Sequence, residues 1–187
     1  MSTFLAKVSS PQMDPINHLV RPTIVVSRCL GFQRCRYDGR LIYSELVCFL
    51  KPYVRYIYVC PEMSIGLGVP REPVKIIEKN NSYHMIQTTT GLDLTYKMNT
   101  FAEHFLGNLL HHGIDGFIFK SRSPSCGIHD TKIHMPYGDI YFGYGLFAKL
   151  AMEYFPKLPI EDELRLRNKF HCQRFLGRLF KRVINIV

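Results

Sequence analysis

The chain has 187 residues, 47% of them hydrophobic and 13% aromatic, and its 24 Lys/Arg against 15 Asp/Glu give a net charge of +9. That apolar content excludes a disordered chain, and no run approaches the roughly 20 apolar residues of a membrane span. The positive excess points to anionic partners such as RNA, nucleotides or an anionic surface, and says little about fold.

The length fits one domain, or one domain with a small appendage. Residues 1–20 read as an irregular leader with two prolines. The segment Met1 to Pro11 lacks a signal peptide's basic start and apolar core, so a cytoplasmic chain is expected. Thr23–Ser27 is a β-branched run, expected to be a buried strand. It enters a loop, Cys29 to Gly39, with a turn signal at Asp38-Gly39. Leu41, Ile42, Leu46, Phe49 and Leu50 recur at helical spacing and predict a helix over Ile42–Pro52. Tyr56–Val59 is a second strand running into Cys60-Pro61-Glu62. Val74–Glu78 and His84–Thr88 predict a small hairpin around Lys79-Asn-Asn-Ser82. Phe101, Phe105, Leu109 and Leu110 make an apolar stripe, so Tyr96–His112 is a predicted helix that stops at Gly113. Gly116–Phe119 is a third strand, entering Lys120-Ser-Arg-Ser-Pro-Ser-Cys-Gly127. Gly143–Gly145 marks a turn, Leu146–Phe155 a helix, and a last helix is expected from Ile160 or Glu161.

Alternating strands and helices imply an α/β, Rossmann-like three-layer fold: a small parallel sheet flanked by helices, plus a C-terminal helix. The expected division is an α/β domain over 1–160 and an amphipathic basic helix over 161–187. In such sheets ligands gather at the carboxyl ends of the strands. The three predicted strands end just before Cys29, Cys60 and Cys126, so three distant thiols would converge on one edge. Such a trio can be buried apolar side chains, or can hold a metal or cluster with one position open. With no CxxC pair, a zinc knuckle or ribbon is not expected. Pro61 and Glu62 beside one thiol, and Ser123-Pro-Ser-Cys-Gly127 around another, favour a built site over core packing.

Ser27-Arg-Cys-Leu30 with Cys35-Arg-Tyr-Asp-Gly39, then Cys60-Pro-Glu62, then Lys120-Ser-Arg-Ser-Pro-Ser-Cys-Gly127, resemble the signature motifs of the bacterial thiouracil desulfurase (desulfidase) family. The resemblance covers roughly residues 22–160. It implies a [4Fe–4S] cluster on Cys29, Cys60 and Cys126, with a free iron that takes up the sulfur of a thiolated pyrimidine. Water then replaces that sulfur without net redox change. By position, Glu62 matches the family's acid/base and Ser123 its substrate-contacting serine. Ser125, Arg36 and Asp38 fall in the same blocks and are candidates for substrate binding, although Asp38 capping a turn and pairing with Arg36 would be a structural role. Cys35 is expected to stand outside the trio, Cys48 in the core, Cys172 in a structural position, and His111, His112, His129 and His134 on surface or loops. His129 and Asp130 follow the third cysteine closely enough to line its pocket.

The tail resembles the junction in longer relatives associated with 4-thiouridine in tRNA. From Glu161 onward it holds seven Lys/Arg and three Asp/Glu. Cys172, Phe175, Leu176, Leu179, Phe180 and Val183 make one apolar face, which would either fold back on the domain or dock to a second subunit as a dimer. The functional expectation is non-redox desulfuration of a thiolated pyrimidine, free or in tRNA, with no membrane partner. The rival is a non-catalytic RNA-binding module whose cluster or zinc ion only ties loops together.

Overall fold

The computed structural model describes residues 21–184; the expected leader over 1–20 and the side chain of Val183 lie outside the described residues. Four parallel strands form the central sheet: β1 (Thr23–Ser27), β2 (Arg55–Val59), β5 (Gly116–Phe119) and β8 (Ile160–Asp162), in the order β2-β1-β5-β8. The alternation of side chains along a strand gives this sheet two buried faces. Val25, Val59, Phe117 and Phe119 turn to one. There they meet Met98, Ala102 and Leu106 of α3 (Thr95–Leu109) and Phe147, Ala148 and Ala151 of α4 (Leu146–Tyr154). Ile24, Val26 and Ile118 turn to the other, against Val47 and Leu50 of α1 (Glu45–Leu50) and Phe175 and Leu179 of α5 (Lys169–Ile184). The three-layer α/β architecture is therefore the one expected.

A second sheet, not expected in full, adjoins the first. Its strands are β3 (Val74–Lys79), β4 (Ser82–Gln87), β6 (Thr131–His134) and β7 (Ile140–Gly143), in the order β4-β3-β6-β7. Two antiparallel hairpins, β3–β4 and β6–β7, are joined by the parallel pair β3–β6. Ile76, Met85 and Ile133 face the core, while Lys75, Lys132 and Phe142 point the other way.

Several elements differ from their sequence reading. The first helix is shorter than Ile42–Pro52, because Ile42 bridges Leu30 in extended form and Ser44 caps the helix by accepting from Val47 N. The buried stripe of α3 runs through Met98, Ala102, Leu106 and Leu109; Phe101 and Phe105 only flank it, and Leu110 is exposed. The last helix does not begin at Ile160 or Glu161. That segment is β8, paired to β5, so the expected boundary between 160 and 161 cuts through a strand of the central sheet. A short 3-10 turn, Arg165–Arg167, intervenes before α5. Of the two fates expected for the tail's apolar face, folding back is the one observed. Phe175 and Leu179 are at most 2% exposed, and such burial contributes about 1.5–3 kcal/mol per side chain. Among the described residues no helix is long and apolar enough to cross a membrane.

Candidate active site

The loops that leave β1, β2 and β5 open into one cavity of about 700 Å³, and Cys29, Cys60 and Cys126 all line it. The three strands are neighbours and run in the same direction, so the convergence expected from their order is met. Backbone bonds hold the strand ends in register: Arg28 N donates to Val59 O (2.8 Å), and Lys120 N donates to the Ser27 hydroxyl (2.9 Å).

The loop carrying Cys126 is the most constrained. Ser123 Oγ accepts from Cys126 N (3.1 Å) and Ser125 N (3.3 Å). The first turn of α4 donates back to the loop, Leu146 N to Pro124 O (3.0 Å) and Ala148 N to Ser125 O (3.0 Å). Gly145 lies so close that a Cβ there would meet Ser125 C and O at 2.5 Å and Cys126 N at 2.8 Å. Arg122 and His129, at φ 55° and 64°, bracket the loop with left-handed backbone that side chains adopt only when their surroundings enforce it. Enforcement comes from Asp130, whose Oδ1 accepts from Arg122 N at 2.8 Å. At the loop's entry, Glu163 accepts from Lys120 Nζ (2.6 Å), Ser121 N (2.7 Å) and Ser121 Oγ (2.7 Å). Glu163 directly follows β8, so the fourth strand helps to hold the third cysteine.

Glu62 stands in the first turn of α2 (Pro61–Ser64) and is 8% exposed. Its two oxygens have different partners. Oε1 accepts from Ser125 Oγ at 2.9 Å, and Oε2 accepts from Arg71 Nη2 at 2.6 Å and Nε at 3.0 Å. Removing one member of so buried a pair costs about 3–5 kcal/mol. Nothing in the sequence pointed to Arg71, which reads as part of a Pro-Arg-Glu-Pro loop. Ser123 Oγ lies 3.1 Å from Ser125 Oγ, which completes a line of polar side chains from Ser123 through Ser125 and Glu62 to Arg71.

Cys35 lines the same cavity, fully buried, between Cys29 and Cys60. The Cys29 thiol beside it pushes Cys35 up to about 11, against an opposing pull from Cys60. Cys35 in turn, with burial, raises Cys60 well above an ordinary thiol. Burial pushes Cys126 up to about 12. None of these thiols is in a disulfide. Among the described residues, no three His, Cys, Asp or Glu side chains gather tightly enough for a single metal ion. The donor set is soft, which suits thiophilic centres.

The other candidates divide. Arg36 lines the cavity but pairs with Asp38 (Nε–Oδ1 3.1 Å), which holds the Asp38 carboxyl well below its usual range. Asp38 also accepts from Arg40 N (3.1 Å), closing the turn that the sequence signalled, and it is not among the lining residues. Asp130 lines the cavity, whereas His129 turns away to pack on Tyr144, ring centroids 4.6 Å apart. His134, expected on surface or loop, is on β6 and does line it. Arg28, Lys75, Arg122 and Lys132 also line the cavity, and among the described residues none of the four forms an ion pair.

A family model described as 2-thiouracil desulfurase matches residues 24–163. The solved structure of a [4Fe-4S]-dependent thiouracil desulfidase, TudS, is similar at 32% identity and a TM-score of 0.63, over 79% of this chain and 94% of that one. An uncharacterized protein of Bacillus subtilis (strain 168), YbbK, is 35% identical over 109 residues, 56% of this chain and 72% of that protein. With three cysteine loops meeting in one cavity and a family model that spans three-quarters of its length, the chain belongs to the 2-thiouracil desulfurase family.

Proposed function

We propose that this protein is an iron–sulfur enzyme that replaces the sulfur of a thiolated pyrimidine with oxygen from water, releasing sulfide without net oxidation or reduction. The observation that carries the proposal is the meeting of Cys29, Cys60 and Cys126 in one cavity at the ends of three adjacent parallel strands. The donor set fits a [4Fe–4S] cluster: of the four thiols that line the cavity, Cys29, Cys60 and Cys126 come from three separate loops, with Cys35 beside the first two; none is in a disulfide, and the cavity leaves space beside them. When bound, such a cluster supplies a Lewis-acidic, thiophilic iron that polarises a C=S group.

The protein's own groups supply the rest. Glu62 Oε1 is the carboxylate oxygen that takes a proton from the attacking water or returns one to the departing sulfur. Ser125 Oγ, 2.9 Å away, donates to that oxygen and holds it towards the cavity. Ser123 Oγ spends its acceptor capacity on two backbone N–H groups, so its own proton is available. It donates to Ser125 or turns to a carbonyl or ring nitrogen on the base edge. Arg36, paired to Asp38, borders the base from the other loop.

Arg28, Lys75, Arg122 and Lys132 support a substrate that bears phosphate beyond its base, including a thiolated base within tRNA. The test is anaerobic reconstitution followed by assay of 2-thiouracil, 4-thiouracil and 4-thiouridine-containing tRNA, reading absorbance loss and sulfide release. Turnover of at least one, lost in Glu62→Gln, is expected. A fully loaded protein that binds RNA salt-sensitively, unchanged by Glu62→Gln and without sulfide, would establish the RNA-binding module instead.

A further inference from the structure

We infer that Arg71 is a positioning residue for the reaction, fixing the Glu62 carboxylate so that Oε1 is the oxygen left beside Ser125. The inference rests on the proposed proton-handling role of Glu62.

Glu62 sits on a helix of only four residues, with no side-chain cap. So short an element does not fix a flexible glutamate, and a proton-transfer group must be held within hydrogen-bond reach of its partner. Arg71 provides the restraint from a different segment. Its side chain is 4% exposed, and four of its donor contacts are made: Nε and Nη2 to Glu62 Oε2, and Nη1 to both Cys35 O (2.9 Å) and Gly68 O (2.9 Å). Its backbone N donates to Tyr37 O at 2.9 Å. Arg71 thus joins the loop after β1, the turn after α2 and the Glu62 carboxylate.

Two consequences follow from the fork geometry. Oε2 is occupied by two charge-assisted bonds, so Oε1, beside Ser125, is the oxygen with room for a further partner. The same guanidinium anchors the backbone of Cys35, between two of the proposed ligand thiols, so the distance from Glu62 to the thiol site is set by one rigid plane. Lysine carries the charge but is a point donor on a flexible stem and cannot span these acceptors together.

The experiment compares Arg71→Lys, Arg71→Gln and Glu62→Gln, alone and combined, in reconstituted protein. Turnover is compared per loaded cluster, from iron and sulfide content and cluster absorption, so that weaker loading in Arg71→Gln is separated from slower chemistry. The kcat is expected to fall about 10-fold in Arg71→Lys and about 100-fold in Arg71→Gln, with KM within twofold. In a Glu62→Gln background, either Arg71 change should add less than twofold. Independently of turnover, isotope-edited infrared spectra of cluster-free protein should show the Glu62 carboxylate band shifted by Arg71→Lys, and unshifted by Lys120→Met. Unchanged kcat in Arg71→Lys beside a slow Glu62→Gln, or an equal loss in both backgrounds, overturns the inference. Wild-type turnover by Glu62→Gln overturns the role of Glu62 itself, and is told apart because it needs no Arg71 variant.

Discussion

The two sheets meet the cavity on different terms. The parallel sheet contributes its loops: cysteines, serines and Glu62, largely buried, with backbone and side chains pinned by bonds from neighbouring elements. The second sheet contributes side chains from its outer face, Lys75, Lys132, His134 and Phe142, which stand partly or fully in solvent and, for the lysines, without an ion-pair partner among the described residues. Bond-making groups must be fixed to a fraction of an ångström, and that requires a dense frame. Groups that attract a charged ligand act over several ångströms and lose little by moving. The difference between the sheets separates the chemistry of the site from its reach.

The largest effect is expected at the thiols. Replacing Cys29, Cys60 or Cys126 by serine is expected to abolish cluster uptake, with iron and sulfide content falling to background after reconstitution. Cys35→Ser and Cys48→Ser should load as wild type. Uptake that survives loss of Cys126 but not of Cys35 would reassign the ligand set. A smaller effect is expected from the frame alone. Gly145→Ala adds one methyl group against Ser125 and Cys126 and should lower cluster content several-fold while far-UV circular dichroism stays unchanged. The mildest effect is expected on the second sheet. Lys75→Glu with Lys132→Glu should weaken a phosphate-bearing thiolated substrate about 10-fold at low salt, less at high salt, and leave free thiouracil turnover unaltered. A loss that is equal for free base and nucleotide would erase the proposed division of labour.

The two inner strands of the parallel sheet, β1 and β5, were legible because they are apolar on both faces. Ile24-Val-Val26 and Phe117-Ile-Phe119 are wholly buried, and continuous runs of that kind read directly as strands. The second sheet's outer hairpin was not legible. Along Thr131–His134 the apolar signal is one isoleucine among polar residues, and every residue of β7 but Gly143 is exposed, so pairing with distant strands decides both. β8 is three residues long, two of them acidic, and in isolation Ile160-Glu-Asp162 reads as well as a helix start. The thiols and Glu62 were legible through their motifs. Arg71 was not, because its bond to a carboxylate nine residues earlier crosses a turn that no periodicity describes.

Glu163 carries a practical consequence. It is the last residue matched by the family model and also the anchor of Lys120 and Ser121, upstream of the third cysteine. Exchanging sequence downstream of Glu163 would therefore leave this anchor in place, but it would also remove α5, which covers one face of the central sheet through Phe175 and Leu179. A cut at Pro159 would in addition strip an edge strand and unfasten the loop that carries Cys126, more than thirty residues away.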